Sequence, residues 1–224
     1  MHVAFIRWAG LAAILFALAL VVQIALGIAA DISDDSTAAM LTDIDDHREI
    51  FLFDSLWSMG NKVLFVPVVI AIYFVLREEL RPYFLVAAVL FFAGTLLLAA
   101  SAAIGVPLAD AARDYVEATD AQRPARLDGG DTLVLTSNAL GFGGIASLGV
   151  AILITGIVML RSVVFRRWLA WVAIAMGVAA GIGFLEFAVE GFGVVFLLVF
   201  LLQVVWLIGV GWTMWRMGQP LTTP

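Results

Sequence analysis

The sequence predicts an all-α fold, a polytopic membrane helical bundle of six transmembrane helices. Three observations carry this. Apolar residues fill 63% of the 224-residue chain and charged residues only 13%, too little polar surface to coat a water-soluble globule of this size. The apolar residues gather in six long runs, each near the ~20 residues that cross the hydrocarbon core as a helix. The charges between those runs sort by sign onto alternate sides.

The runs cover 8–30, 59–76, 83–106, 133–160, 168–188 and 192–215. A helix satisfies its backbone internally, as the bilayer core demands, and a membrane helix is apolar all round, so periodicity adds little inside these runs. The first run has a competitor. Arg7, an apolar core and the small residues Gly27, Ala29 and Ala30 loosely resemble a secretory signal with its cleavage site. At 23 residues the run is longer than a signal's apolar region, and it is taken as a span.

With the N-terminus placed in the cytoplasm, the inner side holds Arg7, Arg77, Arg81, Arg161, Arg166, Arg167 and Arg216 against Glu78 and Glu79 alone. The remainder of the chain holds 5 basic and 16 acidic residues. The positive-inside rule counts Lys and Arg in short loops, and the short links between spans two and three and between four and five are rich in arginine. Three helices that start on this side open alike, with Arg7–Trp8, Arg81-Pro82-Tyr83 and Arg167–Trp168. An arginine in the headgroups followed by an interfacial aromatic is a membrane anchor, and Trp212, Trp215 and Arg216 close the last span in the same way. The expected location is the cell (plasma) membrane, with both termini cytoplasmic.

Two outer segments have length, 31–58 and 107–131; neither is large enough to fold alone, so residues 1–224 form a single six-helix transmembrane domain. The first is acidic, yet Met40, Leu41, Ile44, Phe51, Leu52, Leu56 and Trp57 recur at helical spacings, and Ser36 or Thr37 is placed to cap a short helix. A second helix is expected to start near Asp46 and run unbroken into span two. The other segment opens with Pro107 in a first helical turn, with Leu108, Ala111, Ala112, Tyr115 and Val116 on one face. Residues 122–130, with Arg123, Pro124, Asp128, Gly129 and Gly130, read as a loop.

Much chemistry is excluded. The chain has no cysteine, so thiolate catalysis, cysteine-ligated iron–sulfur clusters and disulfides are absent. The two histidines, His2 and His47, lie outside the core of the spans, and Lys62 is the one lysine. No cofactor and no metal site are expected. With a pI near 4.7, nucleic acid is not an expected partner.

Polar residues inside spans are costly and call for individual accounting. Asp54, Ser58, Asn61 and Lys62 fall at i, i+4, i+7 and i+8, one stripe of a helix. Glu186 and Glu190 stand four apart at the end of span five; Thr132, Thr136, Ser137 and Asn138 open span four. Gln23 and Ser101 lie at a similar level when counted at 1.5 Å per residue. The sharper reading is an outward-facing polar pocket in which Lys62 pairs with Glu186, lined by Asp54, Asn61 and Asn138 with Glu190 nearby. The plainer readings are helix ends emerging among headgroups, or an ion pair that fixes helix register. Glycines are read as packing surfaces: Gly141, Gly144 and Gly149 in span four, Gly177, Gly181 and Gly183 in span five, and Gly209 and Gly211 in span six. Pro67 should kink span two, because it removes a backbone donor and crowds the preceding turn.

The opening Arg-Trp-Ala-Gly-Leu at 7–11, the long first outer loop, the basic turn 161–168 and the final helix with Gln203, Trp206 and Gly209 resemble an uncharacterised bacterial family of six-span integral membrane proteins, a domain of unknown function. The resemblance covers nearly the whole chain. It implies the topology and carries over no activity and no site residues. Three functions stay open. A structural, accessory or stress-associated membrane protein comes first, with the lipid bilayer and other membrane subunits or further copies of the chain as partners. A small-solute or ion transporter using the outer polar cluster is the alternative. An intramembrane enzyme comes last, since no nucleophile–base pair or ligand set is evident, and no catalytic residue is assigned.

Overall fold

In the computed structural model, the described residues are 2–30, 32, 36–186 and 193–217; within these, the side chains of residue 2 and of 182–196 are excepted. Every regular element among them is helical. In chain order these are α1 (His2–Ala30), α2 (Thr37–Asp46), α3 (Arg48–Asn61), α4 (Phe65–Val75), α5 (Arg81–Ala103), α6 (Gly105–Val116), α7 (Arg123–Leu160), α8 (Arg167–Glu186) and α9 (Gly193–Met217). Short 3₁₀ turns at Lys62–Leu64 and Glu78–Leu80 precede α4 and α5.

Among the described residues, five stretches are long and apolar enough to cross a membrane: Val3–Ala30, Arg48–Val75, Glu78–Val116, Arg123–Leu160 and Leu197–Met217. Arg167–Gly181, within α8, is a shorter apolar helix. Large side chains on these helices stand exposed, among them Leu18, Val89, Leu96, Leu135 and Leu201. Apolar exposure spread over so many helices suits a lipid environment and not a watery one.

The chain divides into two compact units. The first comprises Met1–Leu20, Lys62–Thr95 and Ile145–Pro224. Its core is aromatic and aliphatic. Phe65 packs against Phe16 in a tilted arrangement with ring centroids 5.3 Å apart and meets Phe91 edge-on at 5.0 Å, so α1, α4 and α5 share one centre. Phe84, Ile72, Met159, Leu169, Trp206 and Met214 are buried around it. Small residues then bring the remaining helices close. Gly156 of α7 faces Ala170 and Ile174 of α8, and Gly177 of α8 faces the backbone of Leu153. Without a hydrophobic drive between helices in lipid, such close backbone approach is what gains dispersion energy.

The second unit comprises Val21–Asn61 and Leu96–Gly144. Ser36 caps α2, its side chain accepting from the Ala39 amide at 3.2 Å. α2 and α6 are amphipathic and close on each other, burying Leu41 and Ile44 against Leu108, Ala109 and Ala112, with Val134 of α7 joining them. Taking a leucine or isoleucine side chain out of water contributes roughly 1.5–3 kcal/mol.

Two expectations need correction. The helix entering span two does not run unbroken: α3 ends at Asn61, and the chain tightens into a 3₁₀ turn at Lys62–Leu64 before α4. Pro67 explains this, for it lacks the amide that would bond back to residue 63, and its ring crowds that turn. Residues 122–130 are not a loop, because α7 already starts at Arg123 and passes through Gly129 and Gly130. Pro124 sits in the first turn, where backbone donors have no intrahelical partner to lose.

Candidate polar site and helix seams

The second unit joins three of the polar side chains that the sequence places at one level. Gln23 of α1 donates from Nε2 to Ser58 Oγ at 3.0 Å and accepts on Oε1 from Asn61 Nδ2 at 3.2 Å. Ser58 and Asn61 are buried on α3, and Gln23 is half-buried. Ser55, three residues before Ser58, is buried on the same stripe, which a period of 3.6 residues aligns. A glutamine side chain has both a donor and an acceptor end, so one residue of α1 answers two of α3.

A second set ties α5 to α7. Ser101 Oγ lies 2.9 Å from the Ser137 carbonyl oxygen and 3.0 Å from its hydroxyl. A Cβ on Gly141 would stand 3.4 Å from Ser101 Oγ, so this glycine shares the contact. Gly105 of α6 lies directly against Ser55 of α3; a side chain on Gly105 would run into the serine hydroxyl. These arrangements hold helices in register. They contain no nucleophile–base pair, and no group of three His, Asp or Glu residues is placed to hold a metal among the described residues.

The proposed pocket residues distribute unevenly. Asn61 is in the buried network. Lys62 opens the 3₁₀ turn, half-buried, and Asp54 is half-buried on α3. Asn138 is exposed on α7, where its neighbour Ser137 makes the interhelical contact. Glu186 ends α8, but its side chain lies outside the described residues, as does all of Glu190. The pairing of Lys62 with Glu186 therefore also falls outside them.

The glycines are more telling. A Cβ on Gly177 would run into Leu153, one on Gly141 would stand 3.4 Å from Ser101 Oγ and Gly144 is buried, whereas nothing among the described residues comes within 4 Å of a Cβ at Gly181. Gly181 is exposed among the described residues. The sequence reading names Gly209 and Gly211 as packing positions and misses Gly156 and Gly10. A Cβ on Gly156 would stand 2.8 Å from the Ala170 carbonyl oxygen, and one on Gly209 would run into Leu169 and the Trp168 ring. Gly10 and Gly211 meet directly, each with its Cβ position 2.6 Å from the other's carbonyl oxygen. Neither single glycine has a sequence motif around it; only the pairing reveals the contact.

Charges follow a division. In the second unit Arg48 pairs with Asp110 at 2.6 Å, Arg113 with Glu117 at 2.8 Å, Arg126 with Asp114 at 2.9 Å and Arg123 with Asp120 at 3.6 Å. In the first unit Arg81 pairs with Glu78 at 3.6 Å. Arg7, Arg77, Arg161, Arg166, Arg167 and Arg216 enter no ion pair among the described residues. Two of them lie on aromatic rings, Arg7 at 4.8 Å from the Trp215 centroid and Arg216 at 5.0 Å from that of Trp212.

A helical chain with five membrane-length apolar stretches and interhelical polar ties defines the class as a helical protein suited to a bilayer. Its residues 8–218 match the family described as a domain of unknown function, DUF4386, and the chain belongs to that family. Comparison with curated proteins and with solved structures gives no match.

Proposed function

We propose that the chain is a six-span integral protein of the cell membrane, with both termini cytoplasmic, serving as a structural or accessory component. Five of the crossings are the membrane-length stretches, and α8 is the sixth. An even number is supported by α1 and α9, which run antiparallel: Arg7 lies on Trp215, and Gly10 on Gly211 and Met214. The beginning of the one helix and the end of the other are therefore neighbours.

The observation that carries the structural role is the use made of the polar side chains. Gln23, Ser58 and Asn61 bond to one another, and Ser101 bonds to Ser137. A polar group in a low-dielectric setting contributes stability when its partner is a fixed neighbour, and these are fixed neighbours on other helices. Glycine seams such as Gly156 with Ala170 serve the same end.

The test uses the full chain reconstituted in lipid vesicles. Proton leak and the efflux of small neutral, cationic and anionic solutes are expected to equal those of empty vesicles. Saturable flux of any one of them, lost in Glu186→Gln or Lys62→Met, would establish the transporter reading in its place.

A further inference from the structure

We infer that the first unit carries a binding site for anionic phospholipid headgroups, built from the start of α1, the start of α8 and the end of α9. The six arginines without ion pairs are the starting point. Every arginine of the second unit has a carboxylate partner, so the acidic chain is able to supply them. Six arginines of the first unit have no ion pair among the described residues, although the formal net charge of the whole is −6. An exposed guanidinium with no carboxylate keeps its five donors for a planar or tetrahedral anion, and phosphate fits that fork.

Packing gathers several of them. Arg7 lies on the Trp215 ring, and Arg216 follows Trp215 directly and lies on Trp212. Gly209, one turn before Trp212, is pressed by the Trp168 ring, whose position follows Arg166 and Arg167. Removing the side chain at 209 is what lets that ring in. Arg7, Arg167 and Arg216 are thus brought together by α9, which packs against both α1 and α8, with cation–π contacts holding two of them.

The flanking rings point to a lipid and not a free phosphate. Trp8, Trp168, Trp171 and Trp212 are all exposed, at 69%, 45%, 60% and 51%. Indole rings settle at the headgroup level, with an apolar body toward the chains and an N–H toward water. An arginine beside such a ring meets phosphate at the same depth. The occupant is therefore an anionic lipid, bound by headgroup charge and by acyl contact together. This rests on the proposed insertion in a membrane but not on which side the termini face.

Intrinsic tryptophan fluorescence gives the test. The full chain in neutral detergent micelles is titrated with brominated phosphatidylglycerol, or with brominated phosphatidylcholine as the zwitterionic control. Quenching by phosphatidylglycerol is expected at the lower lipid fraction. At roughly fivefold for each surface arginine, Arg7→Gln with Arg216→Gln should reduce the preference about 25-fold or abolish it. Arg113→Gln, which removes an arginine already paired with Glu117, should leave it unchanged. Added salt should narrow the preference, because exposed charges are screened. Equal quenching of the wild-type protein by the two lipids overturns the site without any variant having to fold. Full competition by soluble glycerol phosphate overturns the lipid as occupant and leaves an anion site. Either failure stands apart from the proposed six-span topology, which is read by surface labelling and not by lipid preference.

Discussion

Gly10 of α1 and Gly211 of α9 pack backbone against backbone, each Cβ position 2.6 Å from the other's carbonyl oxygen. The approach permits Cα–H···O contacts worth about 0.5–1 kcal/mol each. It leaves no room for a methyl group, and the obstacle is backbone, which cannot rotate away. Gly211→Ala is expected to destabilise the protein by about 1–3 kcal/mol, the usual cost of overpacking. Thermal unfolding in detergent checks this, and an unchanged midpoint would show that the two helices do not meet here.

Gly129 gives the opposite expectation. It lies inside α7 with nothing among the described residues within 4 Å of its Cβ position. Alanine there removes backbone entropy from the unfolded chain and adds no contact, so Gly129→Ala should stabilise by about 0.5–1 kcal/mol. Its neighbour Gly130 faces Leu41, with a terminal methyl 2.6 Å from the Cβ position, so Gly130→Ala should lose that advantage. If Gly129→Ala lowers the melting temperature, residues 122–130 are better described as the loop that their composition suggests.

Gln23 supports Ser58 and Asn61 at once, which sets up a double-mutant cycle. Gln23→Met strips both partners, and Asn61→Leu removes one of the bonds. Interhelical hydrogen bonds in membrane proteins have measured coupling of about 0.6 kcal/mol, with a maximum near 1.7. The stability loss of the double variant should accordingly fall short of the sum of the two single losses by that amount. Additive losses would mean that the bond does not form in the folded protein.

The long apolar runs made the helical class legible, because length and composition alone fix whether a segment spans a bilayer. The level of Gln23, Ser58, Asn61 and Ser101 was also legible by counting rise per residue. Their partners were not. Counting gives a height along a helix but no direction around the bundle, so Asn138 was placed in the site while its neighbour Ser137 makes the contact. The same limit hid Gly10 with Gly211, since a contact between residues two hundred positions apart leaves no local pattern. The 122–130 segment misled for another reason. Pro124 is a turn residue by frequency, yet a first helical turn tolerates it, since the amide it lacks has no intrahelical partner there, and Asp128 stands exposed on the following turn.

The chain contains no cysteine, so a single introduced thiol reports one position without a background. Asp46 and Thr119 are exposed in the second unit, and Glu79 and Val163 in the first. Under the six-span arrangement, Asp46→Cys and Thr119→Cys react with a membrane-impermeant maleimide in intact cells. Glu79→Cys and Val163→Cys react only once the membrane is permeabilised. The decisive pair is Val3→Cys and Met217→Cys, at the two ends of the antiparallel α1 and α9. Six crossings place both with Glu79, shielded until permeabilisation. Were α8 to lie along the surface, only five crossings would remain and one of the two ends would react from outside. That outcome would remove α8 from the bundle's count and, with it, the cytoplasmic placement of both termini.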